Sequence, residues 1–218
     1  MIAERHHFAN RQELAEGLAS AVAAALSRII SEKGRAVLAV SGGTTPVLFF
    51  DCLSQTSISW NKVTVTLVDE RQVSEDSSRS NARLVKQMLL KANASQAKFV
   101  PLFQNTAAAA KLHLDVVVLG MGEDGHTASF FPGGDNLARA LNLDGDCAIF
   151  SMEAPGADEP RLTYALPKLI VASRLFLHIE GAKKSKVLEE ALAGHDQMAM
   201  PIRAVLQSPT PLHLYWCP

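Results

Sequence analysis

The sequence contains 218 residues, of which 48% are hydrophobic, and its formal net charge at pH 7 is −1. This length and hydrophobic content suit a single domain of residues 1–218 with a sizeable core, and they exclude a disordered chain. The small net charge, without any long block of like charges, argues against a general binder of nucleic acids or of acidic membranes.

The cysteines and the N-terminal segment indicate the cellular compartment. Cys52, Cys147 and Cys217 are widely separated, so they form neither a disulfide framework nor a zinc signature, and they fit a reducing compartment. The N-terminal residues lack the apolar core of a signal peptide, and no uncharged run resembles a membrane span. We therefore expect a soluble, cytoplasmic protein.

In chain order, the first predicted element is a long helix. Asn10, followed three residues later by Glu13, resembles a capping box. Apolar residues then recur at helical spacing as far as Gly34, which suits the C-terminal end of a helix. We expect this helix to have a structural role, packing its apolar side against the core.

A short apolar strand, Ala36–Val40, leads into a glycine-rich loop that ends at Pro46. Because proline suits the first turn of a helix, this strand, loop and helix start predict a phosphate-binding turn. Free backbone N–H groups, the positive helix end and three hydroxyls would face the anion. The residues of this candidate cradle are Ser41, Gly42, Gly43, Thr44 and Thr45. The loop has neither the P-loop nor the dinucleotide-binding pattern, and the alternative interpretation is a tight structural turn.

A second buried strand is predicted at residues 63–68, where apolar residues alternate with threonine. It leads directly into three charged residues, Asp69, Glu70 and Arg71. The carboxyl end of a strand is where open α/β sheets bind ligands, so these residues are candidates for a site. The alternative is a solvated loop of charges.

The most informative stretch begins with the apolar strand Val116–Leu119. Three glycines follow within six positions, and they permit sharp turns and a close approach of the backbone to a ligand. Asp124 and His126 lie in this loop with one glycine between them. A carboxylate beside an imidazole at a strand end predicts acid–base chemistry, whereas the alternative is an ordinary turn with a surface histidine.

The remaining sequence continues the alternation of strands and helices. Further helices are predicted at residues 82–90, 107–110, 168–172, 181–192 and 202–206, and further strands at residues 99–102, 147–152, 175–179 and 212–216. Residues 161–167 are typical of a strand or a turn. His178 is interpreted as a core histidine with satisfied hydrogen bonds, and Lys184 as either a ligand-binding or a solvated lysine. No role is assigned to His6, His7, His113, His195 or His213.

This alternation predicts the fold class α/β, with a mainly parallel, Rossmann-like sheet covered by helices on both faces. Right-handed crossovers would place the loops after Val40, Val68 and Leu119 at the same carboxyl edge. Three candidate loops at one edge indicate a shared binding site more strongly than any one of them alone.

Several motifs in this order resemble those of 6-phosphogluconolactonases, over almost the whole chain. They are Ser41-Gly-Gly-Thr-Thr-Pro46, Asp69-Glu-Arg71 with Ser80-Asn81, the block from Gly120 to Pro132, Arg161-Leu-Thr163 and Gly181-Ala-Lys-Lys184. The resemblance implies a three-layer α/β/α fold, shared with glucosamine-6-phosphate deaminases. It also implies hydrolysis of 6-phosphoglucono-δ-lactone in the pentose phosphate pathway, with no metal and no organic cofactor.

The resemblance and the residue chemistry together assign roles to the candidate residues. His126 would deprotonate the attacking water and then protonate the ring oxygen, with Asp124 orienting it. Arg71 would stabilise the oxyanion, with Asp69 holding its guanidinium group. The phosphate group would bind in the cradle of residues 41–45, opposite Lys184 and Arg161. We expect a monomer whose partner is the small-molecule lactone, without nucleic acid or membrane.

Two departures from the family pattern lead to expectations of their own. The stretch between Val100 and Asp115 is shorter than usual, which we expect to affect the outer layer more than the site. Gln72, Val73 and Ser74 replace the usual bulky residue and proline after Asp-Glu-Arg, and we expect this change to alter the mouth of the pocket.

Two other functions remain alternatives to the lactonase. In the related deaminases the glycine-rich block carries a glutamate that supports the histidine in ring opening, and Phe131 occupies that position here. Since phenylalanine transfers no proton, the sequence favours a lactonase over a deaminase. A non-catalytic sugar-phosphate sensor is the second alternative, although a sensor has no need of the pair Asp124 and His126.

Overall fold

A computed structural model describes residues 2–145 and 148–218 of the chain. Within these residues the strands are β1 (Ile2–His7), β2 (Ala36–Val40), β3 (Val63–Leu67), β4 (Asp69–Arg71), β5 (Lys98–Phe99), β6 (Val116–Leu119), β7 (Ile149–Met152), β8 (Arg161–Tyr164), β9 (Arg174–Glu180) and β10 (Leu212–Cys217). The α-helices are α1 (Arg11–Lys33), α2 (Val47–Ser54), α3 (Asn81–Met88), α4 (Thr106–Ala110), α5 (Leu137–Leu141), α6 (Leu166–Ile170), α7 (Ala182–Ala193) and α8 (Ile202–Leu206).

The main sheet has seven strands in the order β1-β10-β9-β6-β2-β3-β5, and every neighbouring pair is parallel. All four residues of the central strand β6 are buried, which requires cover on both faces of the sheet. The predicted fold class, a three-layer α/β/α arrangement around a mainly parallel sheet, is confirmed. Parallel pairing also brings the loops that follow β2, β3 and β6 to one edge, as the sequence predicted.

The long helix α1 follows its sequence signals closely. Asn10 accepts a hydrogen bond from the backbone N–H of Glu13, and Gly34 ends the helix at a φ of 79°. The helix is long and apolar enough to span a membrane, but half of its apolar window is buried inside the protein. Leu14 and Leu18 are fully buried, and each stabilises the fold by about 1.5–3 kcal/mol. The predicted packing role is confirmed.

A second, smaller sheet was not predicted. It is antiparallel, in the order β4-β8-β7, and it pairs Asp69 with Thr163 and Arg71 with Arg161. The alternative of a solvated loop at residues 69–71 is therefore wrong: Asp69 and Glu70 are buried. Sequence periodicity missed this strand because it is three residues long and its pairing partner lies about ninety positions away in the chain.

Other boundaries differ modestly from the sequence-based predictions. Strand β1 was missed because its residues are mostly polar and exposed. The strand expected at residues 99–102 is shorter, at Lys98–Phe99. The strand expected at residues 147–152 occupies Ile149–Met152, and Cys147 lies outside the described residues. Helix α4, in the stretch between Val100 and Asp115, has five residues.

Candidate active site

A cavity of about 310 Å³ lies where the loops after β2, β3 and β6 meet. This volume is at the lower end of the range for small-molecule sites. Ten of the eleven predicted site residues line it: Ser41, Gly42, Gly43, Thr44, Thr45, Asp69, Arg71, His126, Arg161 and Lys184. The eleventh, Asp124, lies behind His126 and contacts it. The fold thus brings together residues that are up to 143 positions apart in the sequence.

The glycine-rich loop after β6 folds tightly around the imidazole of His126. The backbone N–H of Gly122 donates to the carbonyl of His126 at 2.9 Å, and Gly125 adopts a φ of 78°. A Cβ atom on Gly122 would lie 2.2 Å from two ring atoms of His126. Glycine is therefore required at residue 122 by the close approach of the ring, and at residue 125 by the backbone conformation.

The carboxylate of Asp124 holds the imidazole of His126. Oδ1 of Asp124 lies 2.5 Å from Nδ1 of His126, and the same oxygen accepts the backbone N–H of His126 at 3.1 Å. Burial raises the pKa of Asp124, but the hydrogen bonds and charge of His126 more than offset this, so its pKa lies below the ordinary value. Since Nδ1 is occupied, Nε2 is the ring nitrogen left for proton transfer.

The candidate phosphate cradle precedes helix α2 at the same edge. Pro46 is the N-cap of this helix, and its side chain leaves the first-turn N–H groups uncapped. Gly43 has a φ of 92°, and a Cβ on Gly42 would lie 2.0 Å from Oδ1 of Asn81. The hydroxyl oxygen of Ser41 accepts a hydrogen bond from the N–H of Gly120, which joins the cradle to the loop that carries His126.

Lys184 approaches the cradle from the first turn of helix α7. Its Nζ donates a hydrogen bond to Oγ1 of Thr45 at 3.2 Å. Burial lowers the pKa of Lys184, and the carboxylates of Glu180 and Glu123 partly oppose this shift. A partly buried ammonium group beside hydroxyls and free N–H groups is suited to binding a dianion.

Arg71 and Arg161 face each other across the β4–β8 pair, and both line the cavity. Nη1 of Arg71 donates to the carbonyl of Arg79, while its Nε is buried without a partner among the described residues. The guanidinium of Arg161 lies 5.5 Å from the ring centroid of Phe131. Burial and the nearby charge of Arg71 lower the pKa of Arg161. Two partly desolvated guanidinium groups make this wall of the cavity strongly attractive to anions.

The role expected for Asp69 is wrong in one respect. No ion pair joins Asp69 to Arg71 in the described part of the chain. Instead, Oδ2 of Asp69 accepts a hydrogen bond from the hydroxyl of Ser129 at 2.6 Å, and its backbone carbonyl accepts one from Nδ2 of Asn81. Asp69 therefore ties β4 to the chain that follows the His126 loop, because a buried carboxylate takes the nearest available donors.

The sequence did not predict several neighbours of the site. His178 is buried, and its Nε2 lies 3.0 Å from Oε1 of Glu180, as expected of a core histidine, yet this residue also lines the cavity. The carboxylate of Glu70 accepts the backbone N–H groups of Asn81 and Ala82, which fixes the start of helix α3. Burial raises the pKa of Glu70, although these hydrogen bonds oppose the shift. The sequence motifs group Asp69-Glu-Arg71 with Ser80-Asn81, and this grouping could have indicated that Glu70 contacts the start of helix α3.

The substituted segment of residues 72–74 does not line the described cavity. The side chain of Gln72 donates hydrogen bonds to the hydroxyl of Ser151 on β7 and to the carbonyl of Arg161 on β8, so it links these two strands of the small sheet. The expectation that this segment changes the pocket mouth is therefore unsupported by its position. No three metal-ligating side chains of the cavity, among the described residues, are close enough to share an ion.

Comparison with known proteins agrees with this architecture. Residues 9–216 match the family model of glucosamine-6-phosphate isomerases/6-phosphogluconolactonase. A 6-phosphogluconolactonase of Rhizobium meliloti is 51% identical over 232 aligned residues, which cover 100% of both chains. One from Pseudomonas aeruginosa is 42% identical, covering 93% of this chain and 91% of that one. A crystal structure of a 6-phosphogluconolactonase from Shewanella baltica has a TM-score of 0.94 at 38% identity, covering 99% of this chain and 97% of that chain. The chain therefore belongs to the family of glucosamine-6-phosphate isomerases and 6-phosphogluconolactonases.

Proposed function

We propose that the protein is a 6-phosphogluconolactonase, which hydrolyses 6-phospho-D-glucono-1,5-lactone to 6-phospho-D-gluconate in the second step of the oxidative pentose phosphate pathway. Membership of the family and the high identity to named lactonases support the reaction. The site assignment rests mainly on the pair Asp124 and His126, in which Oδ1 lies 2.5 Å from Nδ1. His126 lines a cavity that three cationic side chains also line, those of Arg71, Arg161 and Lys184. A δ-lactone is an activated ester, so a positioned water, a base and oxyanion stabilisation suffice.

In the proposed mechanism, Nε2 of His126 accepts a proton from a water molecule as that water adds to the lactone carbonyl carbon. The carbonyl oxygen becomes an oxyanion, which the guanidinium of Arg71 or of Arg161 stabilises. The intermediate then collapses with cleavage of the bond between the carbonyl carbon and the ring oxygen. The imidazolium returns its proton to that oxygen, and the product is an open-chain acid. Asp124 stabilises the imidazolium and fixes its orientation.

The phosphate group is proposed to bind in the cradle of residues 41–45. The positive end of helix α2, the hydroxyl groups and the ammonium of Lys184 converge there. In this proposal the phosphate group is bound by residues 41–45, while the lactone carbonyl lies beside His126, which lines the same cavity. The enzyme would therefore select phosphorylated lactones over gluconolactone itself.

The identity of residue 131 argues against the deaminase reaction. Phe131 lines the cavity, and its ring centroid lies 4.4 Å from that of His126. An apolar ring at this distance cannot relay the protons needed to open a sugar ring, whereas attack of water on a lactone needs no such relay.

We propose that the enzyme acts as a cytoplasmic monomer and that it needs no metal, nucleic acid or membrane for this reaction.

The decisive assay measures acid release, with a pH indicator, from freshly generated 6-phosphogluconolactone after subtraction of spontaneous hydrolysis. We expect rapid turnover, much slower hydrolysis of unphosphorylated gluconolactone, and no ammonia from glucosamine 6-phosphate. Equal rates on the two lactones would contradict the phosphate cradle. Stoichiometric ammonia and fructose 6-phosphate would establish a deaminase instead, and tight sugar-phosphate binding without turnover would establish a sensor.

A further inference from the structure

A cluster of three metal-ligating side chains lies on the outer part of the main sheet, apart from the catalytic cavity. Its members are Glu4 and His6 on β1 and His213 on β10, and none of them lines that cavity. His213 is the second residue of β10, so the cluster is near the start of that strand, whereas the cavity is at the carboxyl edge. Lactone hydrolysis gives these three residues no task.

The three donor atoms already have the spacing of a metal-binding set. Oε2 of Glu4 lies 3.1 Å from Nε2 of His6 and 3.2 Å from Nδ1 of His213, and all three atoms lie within 4.8 Å of one another. In a tetrahedral zinc site with bonds of about 2.0–2.1 Å, neighbouring ligand atoms are roughly 3.3 Å apart. The two carboxylate–imidazole distances therefore require little adjustment to hold an ion.

A bulge in β1 creates this arrangement. Ile2 pairs with Leu212 but Glu4 pairs with His213, so β1 contains one more residue than β10 between these two pairs. Without the extra residue Glu4 would face Leu214, whose side chain points to the opposite face of the sheet from that of His213. Bulges characteristically re-aim side chains in this way. His6, two residues beyond Glu4, then lies on the same face.

Both imidazole rings are held by aromatic neighbours. The ring of His6 stacks on Tyr215 at 4.4 Å, and that of His213 lies 5.7 Å from Phe176. Fixed rings lose less conformational entropy when they bind a ligand. The side chains of His6 and Glu4 are 35% and 60% exposed. An ion can therefore reach the cluster from solvent, and a water molecule can occupy its fourth coordination position.

We propose that Glu4, His6 and His213 bind a divalent transition-metal ion of the zinc type, which fastens β1 to β10. Two imidazoles with one carboxylate suit Zn²⁺, whereas Mg²⁺ and Ca²⁺ prefer oxygen ligands throughout. Strand β1 is an edge strand that pairs with β10 alone in the described sheet. An ion that bridges the two strands adds a cross-link at this edge of the sheet.

The test is calorimetric titration of the metal-free full chain with Zn²⁺ at neutral pH, alone and in excess Mg²⁺. We expect one ion per chain and no competition from Mg²⁺. E4Q, H6Q and H213N should each weaken binding by about 10-fold or more, since even residues that merely support metal ligands contribute about that much. H195A removes a histidine outside the cluster and should leave the affinity unchanged. H6Q, on a partly exposed side chain, keeps the test valid if H213N fails to fold.

Two further readouts distinguish this site from binding elsewhere. At a free Zn²⁺ concentration about 100 times the dissociation constant, the Tm of the wild type should rise by on the order of 5 °C. The Tm of E4Q should not rise under the same conditions. The lactonase rate of the three variants should equal that of the wild type without metal. Absence of Zn²⁺ binding overturns the proposal. So does binding that survives E4Q and H6Q but is lost in H126N, because the ion would then occupy the catalytic cavity.

Discussion

Asp124 and His126 form a hydrogen-bonded pair in which one carboxylate oxygen contacts both Nδ1 of the imidazole, at 2.5 Å, and the backbone N–H of the same histidine, at 3.1 Å. These two contacts fix both the ring and the loop that carries it. Because Asp124 does not line the cavity, we expect its influence on a bound lactone to pass through His126. The pair therefore combines a group that transfers a proton with a group that positions it.

The first prediction concerns this division of roles. H126N should lower the kcat of lactone hydrolysis by about 10²–10⁴, the usual contribution of a general base. D124A should also lower kcat in the wild type, but it should cause no further loss in the H126N background, since Asp124 acts through the imidazole. Steady-state kinetics of the two single variants and the double variant measure this. Additive losses would show that Asp124 acts on the substrate independently.

The second prediction tests phosphate binding by Lys184. K184A should raise KM about 10-fold or more, with a much smaller change in kcat, because the lost interaction is the same in the ground and transition states. K183A is a matched control, since Lys183 is the preceding residue and its side chain is 83% exposed. Its KM should match that of the wild type. A KM for K184A that equals the control value would remove Lys184 from the phosphate site.

The third prediction follows from the close approach of backbone and ring. G122A would place a methyl group 2.2 Å from the His126 ring and displace it. We expect kcat to fall about 10²-fold, the usual effect of misplacing a reacting group by about 1 Å. In G156A, also at the cavity, the new methyl group would find its nearest neighbours at 3.9 Å and 4.0 Å, and kcat should be nearly unchanged. Equal kcat values for the two variants would contradict the geometry of the loop.

The fourth prediction concerns acid stability and Glu180. This carboxylate contacts His178 at 3.0 Å and Nε of Arg11 at 2.5 Å. Burial raises its pKa, but the hydrogen bonds and charges of these partners more than offset that and lower it below the ordinary 4.5. A lowered pKa in the folded state means that the ionised carboxylate stabilises the fold above pH 4.5. This contribution is lost as the pH falls through the lowered pKa.

E180Q should therefore reduce the free energy of unfolding by about 1–3 kcal/mol at neutral pH, and the difference from the wild type should shrink below pH 4.5. Urea denaturation over a series of pH values measures this. E189Q is the control, because Glu189 forms an exposed pair with Arg5 and should contribute little at any pH. Wild-type and E180Q stability curves that stay parallel through the acid range would refute the assignment.

Local chemistry in the sequence was enough to predict the elements whose signals are carried by neighbouring residues. The cap at Asn10, the glycine at residue 34 and the apolar strands Ala36–Val40 and Val116–Leu119 appear in the structure with the predicted bounds. Hydrophobic periodicity and glycine chemistry act within a few residues, so they can be read along the chain. The motif at residues 120–132 likewise contained both members of the Asp124–His126 pair.

Contacts between distant residues were decided by the tertiary structure. The small sheet depends on pairing residues 69–71 with residues 161–163, and strand β1 forms because β10 offers a partner at the far end of the chain. Asp69 binds Ser129 rather than Arg71, since a buried carboxylate takes the donor that packing brings nearest. The cluster of Glu4, His6 and His213 exists because a one-residue bulge shifts the register between strands some 209 positions apart. Such pairings carry no local signal, because they are fixed by the packing of the whole sheet.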